Sequence, residues 1–582
     1  MSEPSNVPER HGGQLVGAVL AKQGVRFLFT LCGGHISPIL IGAEEHGLRV
    51  VDVRHEATAV FAADAMARLS GTVGVAAVTA GPGLTNTITA VKNAQMAQTP
   101  IIILGGATAG ILKGRGSLQD IDQMAVIRPH VKWAHTVNRV RDIVPSLEKA
   151  FRIAQEGVPG PVFLEYPIDT LYPESMARAQ LKGASGGRGL GAQLQSVYIN
   201  RYLDQKFGAG WEKTPGELVT VRPLAPTDGA VGQVLDLLAK AARPVFIVGS
   251  QAVQTPVAAS ELQAMLLKLG VPTFLSGMAR GLLGRHELQM RHQRSKALRE
   301  ADLILLAGVP ADFRLNYGRA IPRKVTYINV NRSALTIKKN RKPDLGIHAD
   351  PGTFLRLLGA RWGGQQSWPD WLAQLTALQV ERDADIATRA KAETEFVNPV
   401  QLCEMLETQI AEDSIIIGDG GDFVATASYI IRPRAPLTWL DPGAFGTLGV
   451  GAGFALAAKL YRPDAEVWVL FGDGAVGYSL AEFDTFARHG IAVIGVIGND
   501  AAWAQIARDQ VEWFGTSLGT DLARTNYEAV AAALGAQGIR VEAPDQVAAA
   551  LGAAKEAAAT GKAVLVNVQV GRTDFRKGSI SI

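Results

Sequence analysis

Three times along the chain, short runs of β-branched and apolar residues alternate with amphipathic helical stretches. In the first block the runs lie at 27–30, 75–78, 101–104 and 162–164. In the second they lie at 244–248, 303–306 and 326–330, and in the third at 414–417, 467–470, 493–497 and 563–570. Runs without a polar alternation, separated by helices, fit parallel sheets covered on both faces. The expected fold class is therefore α/β, with three doubly wound parallel-sheet domains at 8–175, 226–365 and 398–571. A linker or insertion occupies 176–225, glycine-rich from 183 to 191 and then carrying Tyr202 and Trp211. A charged helical connector fills 366–397, and 572–582 forms a tail. A length of 582 residues is too great for one core.

Composition narrows the function by exclusion. Hydrophobic residues make up 47% and charged residues 19%, so most of the chain is buried rather than disordered. A net charge of +4, with no basic run interleaved with aromatics, argues against nucleic acid as a partner. Cys32 and Cys403 are far apart, which disfavours a disulfide framework or a zinc site and suits a reducing compartment. Residues 1–10 are polar, and no apolar run reaches the roughly 18 residues that a membrane helix needs. The expectation is a cytoplasmic protein without a membrane contact.

The third block carries the first chemical signal. Gly472-Asp473-Gly474 turns off the end of an apolar strand, and the next strand ends in Gly498-Asn499-Asp500. Glycines at such a turn let backbone N–H groups approach a diphosphate, and Asp473 offers a hard oxygen to Mg²⁺. Asn499, with the backbone carbonyl of Ala501, can reach the same ion. A glycine-Asp-glycine turn alone often does no more than connect a strand to a helix. The strand-turn-helix-strand-Asn arrangement is more specific, and it follows a second glycine-spaced turn at 443–449. In the first block, Arg54-His55-Glu56-Ala57 places a single carboxylate at the start of a small-residue helix, and Thr79-Ala80-Gly81-Pro82-Gly83 turns off a strand.

Together these motifs resemble the thiamine diphosphate-dependent decarboxylases, lyases and acetohydroxyacid synthases, along nearly the whole chain. The resemblance implies a pyrimidine-binding first domain, a central domain and a diphosphate-binding third domain. It assigns Glu56 to the aminopyrimidine, where a carboxylate promotes the imino tautomer that deprotonates the thiazolium carbon. It assigns Gly81, Gly421, Asp422, Phe423, Gly446, Gly472, Asp473, Gly474, Ala475 and Asn499 to the cofactor. It also assigns Leu448 to a wedge between the cofactor rings, and Asp473, Asn499 and Ala501 to Mg²⁺. In that family the first domain of one subunit faces the third domain of another, which implies a homodimer or homotetramer.

Further motifs bear on the reaction. His35, in Gly33-Gly34-His35-Ile36, stands where acetohydroxyacid synthases carry a small residue, and resembles the histidine of benzaldehyde lyase. Gln119 falls where that enzyme has a glutamine. A neutral imidazole and an amide beside a nascent alkoxide can shuttle a proton or donate a hydrogen bond. The Asp122-Gln123 pair resembles oxalyl-CoA decarboxylase and 2-hydroxyacyl-CoA lyase. The long stretches 54–87 and 439–460 are most similar to the acetolactate synthase-like branch of the 2-hydroxyacyl-CoA lyases. The resemblance implies cleavage of a 2-hydroxyacyl-CoA to formyl-CoA and an aldehyde or ketone, and the reverse condensation. An acetohydroxyacid synthase and a benzaldehyde lyase-like carboligase are the alternatives.

For the acyl-CoA, Trp503 is a candidate wall of the substrate channel, and Arg576 and Lys577 put positive charge on a tail that could close as a lid. The family also implies a nucleotide in the central domain, near Gly249, Arg280, Gly308 and Asp312 at expected strand ends. ADP, FAD and an empty structural domain all remain open there.

Overall fold

The computed structural model describes residues 9–183 and 190–578. Residue 8, residues 184–189 of the expected linker, and residues 579–582 of the tail lie outside the described residues. The chain divides into two compact units, 1–221 and 222–582. Among the described residues there are three six-stranded sheets, each wholly parallel, and the expected α/β class holds.

The first unit contains β1 (Phe27–Thr30), β2 (Arg49–Asp52), β3 (Gly74–Val78), β4 (Ile101–Ala107), β5 (Trp133–Thr136) and β6 (Val162–Pro167), in the order β2-β1-β3-β4-β6-β5. The inner strands β1, β3, β4 and β6 are buried along their whole length, whereas β2 and β5 at the edges are only partly covered. Their weaker apolar patterns explain why the sequence pointed to four strands rather than six. The helix Glu56–Ser70 is alanine-rich and nearly all buried, and it stops at Gly71 in the left-handed region, φ 70°. Its only buried cation, Arg68, grips Asp64 one turn earlier through two hydrogen bonds of 2.8 and 2.7 Å, and Asn93 donates to the same carboxylate at 2.9 Å. That pairing keeps the helix interior free of an uncompensated charge. Helix Leu190–Phe207 of the expected insertion docks through Tyr202 and Lys206, which both reach the buried Asp169.

The second unit holds two sheets. One comprises β7 (Pro244–Val248), β8 (Thr273–Leu275), β9 (Gln289–Met290), β10 (Leu303–Ala307), β11 (Thr326–Asn331) and β12 (Leu345–His348), in the order β12-β11-β10-β7-β8-β9. The other comprises β13 (Ile415–Asp419), β14 (Trp439–Leu440), β15 (Val467–Gly472), β16 (Ile494–Asn499), β17 (Gln537–Val541) and β18 (Val564–Gln569), in the order β14-β13-β15-β16-β18-β17. The connector folds as the single helix Pro369–Ala390. Among the described residues no helix is long and apolar enough to cross a membrane.

Candidate active site

In the first unit, the loops that leave β1, β2, β3 and β4 bring the sequence-predicted residues together. Glu56 is the first residue of its helix and is buried, and the preceding turn is closed by His55 Nδ1, which accepts the Ala57 N–H at 3.1 Å. Asn86, at the end of the turn Pro82–Thr85, donates from Nδ2 to Glu56 Oε2 at 3.0 Å. That turn begins at Gly81, whose φ of 60° and ψ of −109° suit glycine. A Cβ on Gly81 would lie 2.7 Å from the carbonyl oxygen of Gln119, so the Gln119 backbone lies directly over the turn. Gln119 itself has φ 63°, an uncommon state for a side chain of its size.

His35 completes the cluster. Its Nδ1 lies 3.2 Å from Thr79 Oγ1, two residues before Gly81, and its Cβ would be 2.5 Å from a Cβ on Gly106. Burial lowers the imidazole pKa, so the ring is neutral near pH 7. From sequence Thr79 stood out only as the first residue of the Gly81 motif, and Asn86 was given no role. Their signal is positional: both sit in the turn that contains Gly81.

In the second unit, Asp473 follows β15 and is buried. Its two oxygens accept the N–H groups of Gly474 at 2.9 Å and Ala502 at 3.2 Å. Burial pushes its pKa up to about 6 even so. Asn499, at the end of β16, is fully buried and donates from Nδ2 to Asn567 Oδ1 at 3.1 Å. Asn567 spends its own Nδ2 on Glu528 Oε2 and the Thr525 carbonyl, at 2.6 and 3.0 Å. The orientation of both amides follows, and Asn499 Oδ1, which accepts the Ala501 N–H at 3.2 Å, keeps one lone pair to offer. Ala501 sits at φ 55°, and its carbonyl accepts one N–H, from Leu522 at 2.8 Å, which leaves a lone pair. Next to them Asp500 is pushed up to about 7 by burial and by the charges of Asp473 and Asp422.

This donor set fits a hard divalent cation: it offers a carboxylate, an amide oxygen and a carbonyl, in surroundings where excess negative charge already disfavours ionisation. Among the described residues no group of three or more His, Cys, Asp and Glu side chains could hold a metal. The set therefore suits an ion that takes its remaining ligands from a diphosphate. Asn567, a buried amide inside a mostly apolar strand, was missed from sequence; its polarity in that setting was the available clue.

A cavity of about 1190 Å³ adjoins this site. Gly421, Asp422, Phe423, Gly446, Leu448, Gly472, Asp473, Gly474, Ala475 and Trp503 all line it, whereas Asn499 and Ala501 are not among the lining residues. Several glycines here are imposed by close packing. A Cβ on Gly474 would lie 2.3 Å from the Trp503 ring, and one on Gly498 would lie 2.3 Å from the Phe423 ring. Gly446, at φ 66°, and Gly421 face open space, where a ligand could approach the backbone. Asp419, the last residue of β13, was also missed. Its carboxylate ties down the loop around Leu448 by accepting the N–H groups of Gly449 at 3.0 Å and Gly451 at 2.8 Å. Complete burial pushes its pKa up to about 7.

The other expected residues are more scattered. Arg280 lines the cavity, donates to the Ser428 carbonyl at 2.8 Å and stacks 4.7 Å over the Trp439 ring. Gly249 and Gly308 sit after β7 and β10, adjacent strands at the point where the sheet order reverses. There the two loops pack on each other: a Cβ on Gly249 would lie 2.7 Å from the Gly308 carbonyl, and one on Gly308 would lie 2.7 Å from Gln251 Cβ. Asp312 pairs with Arg314 through two hydrogen bonds of 3.0 and 2.7 Å. Neither glycine nor Asp312 is among the residues lining the cavity. Arg576 lies 5.1 Å over the ring of Tyr429, a cavity residue, and its Nε is buried without a hydrogen-bond partner. Lys577 is exposed.

Three family matches tile the chain. They are "Thiamine pyrophosphate enzyme, N-terminal TPP binding domain" at residues 10–126, "central domain" at 231–358, and "C-terminal TPP binding domain" at 419–568. The Homo sapiens protein "2-hydroxyacyl-CoA lyase 2" is 52% identical over 98% of this chain and 92% of its own length. Its Danio rerio counterpart is 49% identical over 98% and 94%. A Mycobacterium bovis "Probable acetolactate synthase" is 34% identical over 96% and 95%.

Proposed function

The chain belongs to the thiamine pyrophosphate enzymes, and from that premise we infer that it is a thiamine diphosphate-dependent 2-hydroxyacyl-CoA lyase. It cleaves a 2-hydroxyacyl-CoA to formyl-CoA and an aldehyde or ketone, and runs the same steps backwards. The observation that carries this reading is near-full-length identity of 47 to 52% with six relatives named 2-hydroxyacyl-CoA lyase 2. The synthase relative stands at 34%.

When bound, thiamine diphosphate supplies the nucleophilic carbon and the electron sink. The chain's own residues set geometry and handle protons. Glu56, steadied by Asn86, is the carboxylate for the aminopyrimidine nitrogen. Asp473, the Asn499 amide oxygen and the Ala501 carbonyl would hold Mg²⁺, while Gly421, Asp422, Phe423, Gly472, Gly474 and Ala475 border the diphosphate. Gly446 and Leu448 border the rings, and Gly81 shapes the turn beside the aminopyrimidine. His35 has Nδ1 committed to Thr79, so Nε2 is the nitrogen free to exchange a proton with the substrate hydroxyl. Gln119 offers its amide to the same oxygen.

The cavity also favours an anion. Arg280 and Arg294 line it, burial lowers the pKa of both, and neither forms an ion pair among the described residues. We propose that they meet phosphate groups, either from the CoA of the substrate or from ADP in the central domain, with FAD as the other candidate. Gly249, Gly308 and Asp312 would then shape the central domain rather than touch that ligand. Arg576 and Lys577 would approach the acyl-CoA when the tail closes, and Trp503 would wall its channel. We further propose a homodimer or homotetramer in which different protomers supply Glu56 and the Mg²⁺ site. The chemistry is that of a carbon–carbon lyase of the aldehyde-lyase type. Two free cysteines fit a cytoplasmic location.

The test is quenched-reaction mass spectrometry with Mg²⁺, thiamine diphosphate and 2-hydroxyisobutyryl-CoA or lactoyl-CoA. Formyl-CoA should appear together with acetone or acetaldehyde, and vanish in Glu56→Ala. Acetolactate from pyruvate, with both thioesters left intact, would replace this reading with the synthase.

A further inference from the structure

Gln123, named above only as half of the Asp122-Gln123 pair and given no role in the reaction, is almost completely buried beneath the Gly81 turn and the Gln119 loop. Its Nε2 donates to Glu165 Oε1 and to the Gly106 carbonyl, both at 3.0 Å. The Gly106 carbonyl can only accept and the Gly81 N–H can only donate, so the amide points one way, with Oε1 accepting the Gly81 N–H at 3.1 Å. Glu165, 1% exposed on β6, is held in turn by Thr136 Oγ1 at 2.8 Å and Lys113 Nζ at 3.2 Å.

We propose that Gln123 is a positioning residue that references the three proposed reacting groups, Glu56, Gln119 and His35, to the buried Glu165. On one side the Gly81 turn runs on to Asn86 and so to the Glu56 carboxylate. On the other, the Gln119 backbone rests on Gly81, and Gln123 opens the helix that closes the same loop. Gly106, which accepts from Gln123, also backs His35. One amide thereby fixes the spacing of three side chains that come from separate loops.

The inference rests on the reading of the site as catalytic. Failure of the wild-type enzyme to cleave acyl-CoA would count against that reading. The difference between variant and wild type tests this one. Gln123→Met keeps the volume and removes all three bonds. The folded holoenzyme should keep its KM for the thioester and lose kcat by about 10- to 100-fold, the cost of a displacement near 1 Å. In the protein without cofactor, amide hydrogen exchange should quicken at Gly81 and across 114–122.

Gln123→Glu supplies a signature that packing alone cannot. As the neutral acid, the new side chain donates one O–H to Glu165 and accepts from Gly81. Once ionised it still accepts from Gly81 but can no longer donate, and it faces a second carboxylate. The titratable groups around it are Glu165, Lys113 and His35, and Glu165 dominates as the direct neighbour. Activity of Gln123→Glu should therefore approach wild type in acid and fall with one added ionisation as pH rises. If Gln123→Met does not fold, this profile decides alone. Wild-type kcat in Gln123→Met, or a Gln123→Glu profile parallel to wild type, would overturn the proposal.

Discussion

The first sheet and the third have one topology and opposite chemistry. In each, strands run in the relative order 2-1-3-4-6-5, and the residues of interest leave the C-terminal ends of the corresponding strands. After β1 comes His35, and after β13 come Gly421, Asp422 and Phe423. After β3 come Thr79, Gly81 and Asn86, and after β15 come Gly472 to Ala475. Gln119 follows β4 as Asn499 and Ala501 follow β16, and Glu56 follows β2 as Leu448 follows β14. Both sets cluster where the strand order reverses, the usual ligand crevice of an open α/β sheet. The first sheet presents side chains that can hold or pass a proton. The third presents glycine backbone and hard oxygens, which suit a diphosphate and its metal. On the proposed reading, one scaffold serves proton transfer or anion binding according to what the loops carry.

The strongest way to break this division is to remove its two centres separately. Glu56→Gln should retain thiamine diphosphate and lose turnover by about 10²- to 10⁴-fold, the range for a positioned proton-transfer group. Asp473→Asn should instead fail to retain the cofactor in equilibrium dialysis at moderate Mg²⁺. Equal loss of cofactor in both variants would show that the halves do not divide the labour.

A next level of effect tests the support behind the metal ligands. Asn567→Leu frees the Asn499 amide to turn its nitrogen toward the metal. Mg²⁺ affinity should weaken about 10- to 100-fold, as for other partners that orient metal ligands. A titration of activity against Mg²⁺, with thiamine diphosphate saturating, reads it directly.

What the sequence disclosed differs between the sheets for a physical reason. Long buried strands such as β4 and β15 are continuous apolar runs, whereas β9 and β14 span two residues each and leave no periodic signal. The residues proposed for diphosphate and metal sit at strand ends in short local motifs, so the places of Asp473, Asn499 and the cavity glycines in the fold were legible. Their supports were not. Asp419, Asn567 and Asn86 act through partners 30, 68 and 30 residues away in sequence, distances that only the sheet order closes. The central glycines carry a second meaning that sequence alone does not give: at Gly249 and Gly308 the missing side chain permits two loops to touch.

Asn86→Ala sharpens the first-sheet half of the comparison with a smaller effect. It removes a single hydrogen bond to a buried carboxylate, and kcat should fall about 10-fold with KM nearly unchanged. Asn86→Asp should be worse, because it sets a second carboxylate against Glu56.

The mildest expectation concerns the strand ends themselves. β1 closes with Thr30, a neutral residue whose hydroxyl donates to the Ala77 carbonyl at 2.8 Å, whereas β13 closes with Asp419. Burial raises Asp419 from 3.8 to about 7, so the folded chain holds its proton across that window while the unfolded chain has released it. The resulting stability is complete below about pH 4 and is lost as pH rises toward 7. Asp419→Asn mimics the protonated acid at every pH, at a fixed cost of one acceptor for the Gly449 and Gly451 N–H groups. Melting of the cofactor-free proteins from pH 4 to 8 should show the variant gaining on wild type as pH rises, then levelling above about 7. The matching change at Thr30, Thr30→Val, should give an offset that does not vary with pH. A pH-independent gap for Asp419→Asn would mean that its carboxylate is already ionised in the fold, held by the backbone N–H groups of the Leu448 loop.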